Sequence, residues 1–459
     1  MARALLCGAV ATCVLLWVAW YNGYPTTFPD TGSYLYTGKF FRALAPFRAP
    51  GYSMFTRIVS LGRSGWYIAV AQAILTVYAL RKACAYLIGG EHRFRDYCLL
   101  AIVCLLAAFS SLPWETSLLM PDVFAGVLFL AAFLLACNGE LRLTERIGLA
   151  AVLALSVSSH MSLLPIALVF VTALAIPRFL GWRPQGAPSI RAMAAWLLVP
   201  IMAAGLWTAT LNREMGLGFR LSASGNEFLL ARLFGDGIAA DYLRANCPRK
   251  GFVACGYLDE LPHTQGEFLF YSPLLPAMAD HRAEINEISR GAIAAYPVRF
   301  LWSSFTETLR QLGSFRTGDE TRTTAAPDTI TGDIKKVFPG DLSAYRDSRE
   351  YRDHIFPLAR ALARVDIVVF VLSLIACVAF ARARGAEKVA AFFYAAIAFL
   401  IINAAVCATL AGVYDRYQSR VAWIIPFCLA VCVCRLIRER KNVFADVDST
   451  DYISAAEPL

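Results

Sequence analysis

The chain carries its apolar residues in long uninterrupted blocks, without the 2.0- or 3.6-residue period of an amphipathic strand or helix. A helix that spans a membrane needs about 20 mostly apolar residues, so blocks of this kind predict membrane-spanning helices. Only 17% of the 459 residues are charged, which is below the roughly 25% of an ordinary soluble domain. Although the formal net charge is +9, this composition excludes a disordered chain and a nucleic-acid binder.

Ten blocks are predicted to span the membrane, which makes the protein an all-α polytopic membrane protein. They are residues 5–20, 66–88, 99–112, 123–137, 149–159, 162–176, 193–210, 365–380, 390–410 and 422–434. Between the fifth and sixth blocks, Ser159, His160 and Ser162 interrupt the apolar stretch. Polar groups at that depth need protein or water around them, so we expect two short helices that meet near His160. The first block lacks a small-residue cleavage site and is interpreted as a signal anchor.

The distribution of basic residues predicts the orientation. With the amino terminus in the cytoplasm, the inner loops carry pairs such as Arg81 and Lys82, and Arg142 and Arg146. This pattern follows the positive-inside rule. The first outer loop, residues 21–65, departs from the rule because it contains Lys39, Arg42, Arg48, Arg57 and Arg63. Cations on the translocated side indicate that this loop has a local anionic partner.

Hydropathy divides the chain into four parts. Residues 1–210 are predicted to form a transmembrane bundle that includes the first outer loop, 211–362 an outer domain, 363–436 the C-terminal transmembrane helices and 437–459 a cytoplasmic tail. In the outer domain, Asn226 is expected to cap a helix, and an amphipathic run at 285–312 is interrupted at Pro297. The stretch 317–340 is rich in Thr, Asp, Gly and Pro and is expected to be an extended loop.

Eleven of the 13 cysteines lie in or beside the predicted spans, where Cys behaves as a small apolar residue. Cys247 and Cys255 instead lie in the outer domain, which would meet an oxidising compartment. We predict a disulfide between them, with free buried thiols as the alternative.

Asp30 is the candidate catalytic residue of the first outer loop. It follows Pro29 and precedes Tyr34. One interpretation is that Asp30 caps a short helix that begins near Thr31. The other is that its carboxylate accepts a proton from an acceptor substrate or holds a divalent cation at the membrane surface. Local spacing does not choose between the two.

Two further outer loops carry residues suited to the same site. Glu115 and Asp122 lie between the third and fourth spans, where Asp122 also fits a helix cap. The last outer loop contains Tyr414, Asp415, Arg416, Tyr417 and Arg420, a group that also fits an interfacial aromatic and cationic anchor. If the three loops converge, their acids, arginines and tyrosines form one site.

An acid in the first outer loop, an aromatic residue a few positions later and an R-x-P-x-Y segment at the next helix resemble the GT-C superfamily. These enzymes are polyprenyl-phosphate-sugar-dependent glycosyltransferases and include protein O-mannosyltransferases, aminoarabinose transferases and arabinofuranosyltransferases. The matching residues are Asp30, Tyr34 and the segment from Arg48 to Tyr52. The resemblance extends to Pro121-Asp122, the turn at His160 and Arg416-Tyr417, and covers residues 1–210 and 363–436.

One position departs from the superfamily pattern. Many members carry two adjacent acids in the first loop, whereas Asp30 is followed here by Thr31. A metal bound between neighbouring carboxylates is therefore weakly supported, and Asp30 with Asp122 or Glu115 is the more plausible pair. Metal dependence stays open, and no other cofactor is expected.

The resemblance implies a glycosyltransferase of the bacterial inner membrane with a GT-C-like bundle and an active site facing the periplasm. Its donor is a monosaccharide on a polyprenyl phosphate, and its acceptor is a glycan, lipid or protein. Asp30 acts as general base, with Asp122 and Glu115 as further catalytic acids. The residues assigned to the lipid phosphate are Arg48, Arg416, Arg420 and His160, although His160 also fits a hydrogen bond within the bundle. The residues assigned to the substrate are Tyr34, Tyr52, Trp114 and Tyr417, with Trp114 as a stacking surface.

Two alternatives remain. A flippase or transporter of a lipid-linked sugar is expected to show inverted repeats with paired broken helices, and this chain shows one break without a counterpart. A cell-envelope assembly protein without catalysis is expected to tolerate neutralisation of its outer-loop acids.

Overall fold

The regular structure of the chain is helical. The structure, a computed structural model, describes residues 2–42, 48–181, 186–279, 281–318, 327–382 and 387–454. Within these ranges the first helices are α1 (Ala2–Leu15), α2 (Trp17–Asn22), α3 (Thr31–Phe40), α4 (Pro50–Ser60), α5 (Gly65–Ile88), α6 (His92–Phe109), α7 (Leu112–Ser117), α8 (Val123–Cys137), α9 (Leu143–Ser159), α10 (Leu163–Phe179) and α11 (Ile190–Glu214).

A series of shorter helices follows the first bundle. They are α12 (Gly225–Gly235), α13 (Ile238–Asn246), α14 (Gln265–Phe270), α15 (Leu274–Ala277), α16 (Arg282–Ala295), α17 (Pro297–Gly313), α18 (Pro327–Val337) and α19 (Leu342–Asp347). Two 3₁₀ helices, Val253–Glu260 and Pro339–Asp341, lie among them. The chain then returns to the bundle as α20 (Phe356–Ala381), α21 (Glu387–Leu410), α22 (Asp415–Ala422) and α23 (Ile424–Ser454).

Five helical segments of the described chain are long and apolar enough to cross a membrane. They are α5, α11, α20, α21 and the run Asp415–Arg440, which α22 and the start of α23 form together. Three shorter helices, α1, α8 and α10, are also apolar. These helices make the chain an all-α membrane protein, and the count of ten spans stays a prediction.

The two helix breaks predicted from the sequence are confirmed. Helix α9 ends at Ser159 and α10 begins at Leu163, with His160 in an extended conformation between them. The second break falls at Pro297, where α16 ends and α17 begins. The predicted cap at Asn226 is wrong, because the carbonyl of Ser224 accepts the hydrogen bonds of the first turn and Asn226 lies inside α12.

Residues 225–300 enclose a small hydrophobic core of their own. Its buried side chains include Leu230, Phe234, Leu243, Phe268 and Ile288. The structure pairs Cys247 with Cys255 through a disulfide at the edge of this core, eight residues apart in sequence. This part of the segment 211–362 therefore packs as a separate unit beside the bundle.

Residues 327–351 pack differently, against the first outer loop and the main core. The expectation of an extended loop over 317–340 is wrong for the part that forms α18, and residues 319–326 lie outside the described chain. Ile330, Ile334 and Val337 follow helical spacing and are buried in the main core. Because the stretch is mostly polar, the sequence analysis did not predict this apolar helix face.

Two acids of this segment hold the first outer loop in place. Asp341 accepts hydrogen bonds from the hydroxyls of Tyr24 and Ser64, both at 2.9 Å, and from the Gly65 amide at 2.8 Å. Glu350 accepts the Thr27 amide hydrogen bond at 3.0 Å. These contacts fix both ends of the loop that carries Asp30.

Glu350 predicts a pH-dependent component of stability. Burial raises its pKa from 4.5 to about 8. Between these two values the folded state binds the proton and the unfolded state does not, so the free energy of unfolding falls as the pH rises through that window. We expect Glu350→Gln to remove this component, since glutamine still accepts the Thr27 hydrogen bond. Thermal unfolding of both proteins across the window tests this, and parallel pH profiles would contradict it.

Candidate active site

A cavity of about 720 Å³ lies where the ends of several helices meet. Six residues assigned a role in the site from the sequence line it: Asp30, Tyr34, Arg48, His160, Arg416 and Tyr417. Apolar side chains from α10, α12, α14 and α21 form much of the remaining wall, including Leu164, Leu229, Leu269 and Leu410. Residues far apart in sequence thus converge on one cavity with a charged cluster and an apolar wall.

Asp30 occupies the N-cap position of α3, but its side chain makes no capping hydrogen bond. Its carboxylate instead forms an ion pair with Arg48. The segment after Arg48 explains this placement. Pro50 starts α4, and a Cβ on Gly51 would lie 2.2 Å from the Ser158 carbonyl oxygen, so glycine lets α4 approach the end of α9. The R-x-P-x-Y segment therefore delivers its arginine to the cavity.

Arg416 joins the two acids of the cluster. Its Nη1 lies 3.8 Å from Asp30 Oδ2, and its Nε lies 3.7 Å from Asp122 Oδ1. Its guanidinium carbon stands 4.2 Å from the centre of the Phe28 ring, which is a cation–π arrangement. Arg416 Nη1 is buried and makes no hydrogen bond to any described residue. This nitrogen can donate to an anionic ligand in the cavity.

Asp122 and Arg420 lie behind the cavity wall. Asp122 is 1% exposed and Arg420 is fully buried, with Arg420 Nη1 3.5 Å from Asp122 Oδ1. Arg420 Nη2 donates hydrogen bonds to Asn403 Oδ1 at 2.8 Å and to Ser162 Oγ at 3.1 Å. The side chain of Asp122 makes no capping hydrogen bond to α8. Its position makes Asp122 a buried counter-ion for the two arginines of the last loop.

The charged cluster carries one positive charge in excess. Two carboxylates face three guanidiniums, contributed by Asp30, Asp122, Arg48, Arg416 and Arg420. The excess positive charge of this cluster attracts an anionic group, and Asp415 adds a further carboxylate to the cavity lining. The excess charge also opposes binding of a divalent cation, and the acids of the cluster already pair with arginines. The donor set therefore does not fit a metal site.

His160 borders the cavity as a neutral side chain. Burial lowers its pKa well below 6.5, and the guanidiniums of Arg420, Arg416 and Arg48 lower it further. Its Nδ1 accepts the Ser162 amide hydrogen bond at 3.2 Å. The remaining proton is therefore assigned to Nε2, which makes His160 a neutral hydrogen-bond donor.

Besides Asp122 and Arg420, three residues assigned from the sequence do not line the cavity. Glu115 is buried and accepts a hydrogen bond from Ser419 Oγ at 2.9 Å, which joins α7 to α22. Trp114 packs edge-on against Trp17, in a cluster with Ile355 and Ala359. Helix α7 turns this indole away from the cavity, so the structure does not place it as a sugar-stacking surface. Tyr52 is fully buried, and its hydroxyl donates to Gln72 Oε1 at 2.6 Å.

Sequence reasoning missed two polar contributors to the site. Asn403 lies in the middle of apolar α21 and, besides accepting from Arg420, donates to the Tyr417 carbonyl at 2.6 Å. A polar residue inside a span is itself a functional signal. Gln265 of α14 also lines the cavity, and no local sequence feature distinguishes it.

Comparison with known protein families, curated proteins and solved structures gives no significant match to this chain.

Proposed function

We propose that the chain is a GT-C-type glycosyltransferase that moves a monosaccharide from a polyprenyl-phosphate donor to a periplasmic glycan, lipid or protein. The proposal takes the inner membrane as its location, with the cavity facing the periplasm. One observation carries it: six residues that carry the resemblance, Asp30, Tyr34, Arg48, His160, Arg416 and Tyr417, line a single cavity that has two guanidiniums beside an apolar wall. A phosphate attached to an isoprenoid chain matches both properties.

In the proposed step, the acceptor oxygen or nitrogen attacks the anomeric carbon of the donor sugar. The bond from that carbon to the phosphate oxygen breaks, and its electron pair leaves with the polyprenyl phosphate. Asp30 takes the proton of the attacking group. A single displacement of this kind inverts the anomeric carbon.

The ion pair between Asp30 and Arg48 predicts that the donor binds before the acceptor reaches Asp30. In the structure Arg48 binds Asp30 and occupies the carboxylate that the acceptor would use. The donor phosphodiester carries one negative charge and offers Arg48 a bidentate partner. We infer that donor binding draws Arg48 to the phosphate and frees Asp30 for the acceptor. Arg416, already directed at both acids, then stabilises the charge that develops on the leaving phosphate.

The broken helix at His160 is the feature that favours the alternative, a flippase or transporter of the same lipid-linked sugar. Mass spectrometry of co-purified lipids separates the two, using membranes that synthesise polyprenyl-phosphate sugars. Carrier lipid without its sugar on the wild type, together with transferred sugar on an acceptor, supports the transferase. Intact lipid-linked sugar as the only bound species, with no glycosylated product, overturns it.

We expect Arg48→Ala to weaken the apparent affinity for the donor by roughly 10- to 100-fold, which corresponds to the loss of hydrogen bonds to a charged group. Arg48→Lys keeps the charge but not the planar fork, so its effect is smaller. Steady-state rates against donor concentration measure this. Arg63→Ala removes an exposed cation of the same loop and serves as the matched control. An unchanged donor dependence in Arg48→Ala would remove Arg48 from the phosphate site.

A further inference from the structure

Helix α17 presents an apolar stripe that nothing in the described chain covers. Its five members are more than half exposed: Val298, Leu301, Trp302, Phe305 and Leu309. Their spacing of three, four, seven and eleven residues from the first places them on one side of the helix. Removing apolar side chains of this size from water is favourable in free energy. Because five such side chains would otherwise lie in water, we expect a partner surface to cover the stripe.

Polar contacts on the opposite side fix the direction in which the stripe points. Arg232 of α12 donates from Nη2 to Ser303 Oγ at 2.7 Å and from Nε to the Ala408 carbonyl of α21 at 2.9 Å. Nearer the end of the helix, Gln311 is fully buried. Helix α17 is thus held against α12 and α21 by its polar side, and rotation of the stripe into the protein would break these contacts.

The neighbouring helix identifies the partner. Helix α17 packs against α21, one of the segments apolar enough to cross a membrane. The exposed residues of α21 include Tyr394 and Ile401, which face lipid in any bilayer that α21 spans. The stripe also contains a tryptophan, and the exposed side chain of Arg310 lies near the end of the helix. Aromatic and long cationic side chains of this kind occupy the boundary between acyl chains and water.

We propose that α17 is an interfacial helix at the outer face of the membrane that it lies in. It rests on the boundary between acyl chains and water, with its apolar stripe in the acyl chains. The proposal concerns a lipid surface and does not depend on the transferase reaction. It assigns the bilayer, and not a second protein, as the partner of the stripe.

The same helix connects that surface to the cavity wall. The Gln311 side chain donates to the Tyr414 carbonyl at 2.8 Å and accepts from the Tyr414 amide at 3.0 Å. Just beyond α17, the Arg316 amide donates to Asp415 Oδ1 at 3.0 Å. Tyr414 and Asp415 both line the cavity. A helix seated in the bilayer therefore fixes this wall of the cavity at the depth of the lipid headgroups.

Tryptophan quenching in the full-length protein tests the proposal. The chain is reconstituted into vesicles of phospholipids brominated on the acyl chain near the headgroup. Because the chain has nine tryptophans, the emission of Trp302 is obtained by subtracting the spectrum of Trp302→Phe from that of the wild type. We expect bromolipid to quench most of this difference emission and aqueous iodide to leave it unchanged. Trp114→Phe, which removes a buried indole, is the matched control and gives a difference signal that neither quencher reduces.

The other outcomes overturn the proposal. Quenching by iodide alone places the stripe in water, and protection from both quenchers places it against protein, as in a dimer. Phe305→Trp is the second variant, because it adds a reporter to the stripe and keeps an aromatic ring at the position whose ring centre lies 5.9 Å from that of Trp302. Its added emission is expected to follow the behaviour of Trp302, and added emission that bromolipid does not reduce would contradict the interfacial placement.

Discussion

Replacing Asp30 with asparagine is expected to reduce sugar transfer by roughly 10²- to 10⁴-fold, the usual contribution of a general base. Asparagine has nearly the same shape but does not accept the acceptor proton. The substitution also removes a competitor for Arg48, which pairs with Asp30 in the structure. Donor binding should therefore be retained or strengthened, while turnover is lost.

This combination of effects distinguishes Asp30 from its neighbour. Asp30→Asn should trap an intact lipid-linked monosaccharide that mass spectrometry detects in the purified protein, whereas Arg48→Ala should lose it. Asp259 is an exposed acid of the unit formed by residues 225–300, and Asp259→Asn is the matched control for expression and folding. Normal product from a well-folded Asp30→Asn protein would exclude Asp30 as the base.

Local sequence features predicted the parts of the fold that depend on local chemistry. The break at His160 follows from polar residues inside an apolar block, and the break at Pro297 follows from the missing amide hydrogen of proline. The start of α3 at Thr31 and the start of α4 at Pro50 also follow from residues adjacent in sequence. Such features act within one or two turns, so one sequence is sufficient to reveal them.

Local sequence features did not show that the loops of the site converge, and only the resemblance grouped their residues. The resemblance to GT-C enzymes grouped Asp30, Arg48, His160 and Arg416 before their contacts were known, and all four line the cavity. It did not predict that Trp114 points away from them. The direction of a side chain on the short helix α7 depends on packing against α2 and α20, which no local pattern reports.

Helix-capping arguments alone did not predict the contacts of Asp30 and Asp122. Asp30 and Asp122 both stand at N-cap positions, where aspartate is common, and neither side chain makes the capping bond. Arginines from other segments bind them instead. A charged partner supplied by tertiary structure outweighs a neutral backbone donor, because an ionic hydrogen bond or ion pair in a buried place is stronger than a neutral one.

Asp122→Asn is expected to destabilise the protein by about 3–5 kcal/mol, the usual cost of removing one partner from a buried ion pair. Arg420 is fully buried and Arg416 is nearly so, and both lose their shared carboxylate. Thermal unfolding of the purified protein in detergent measures the loss. Asp96→Asn is a matched control, since Asp96 is equally buried but its partners Arg3 and Arg81 are about two-fifths exposed and remain hydrated. Its expected cost is about 0–1 kcal/mol.

The double variant Asp122→Asn with Arg420→Met tests whether charge is the cause. Removing both members restores the single positive excess of the wild-type cluster, so part of the lost stability should return even though Asn403 and Ser162 lose a donor. The same pair of variants decides between two roles for Asp122. If the loss of activity follows the loss of stability and both recover together, Asp122 acts as a counter-ion that positions Arg416. If Asp122→Asn is as stable as the wild type but inactive, Asp122 takes part in the chemistry, as the sequence resemblance implied.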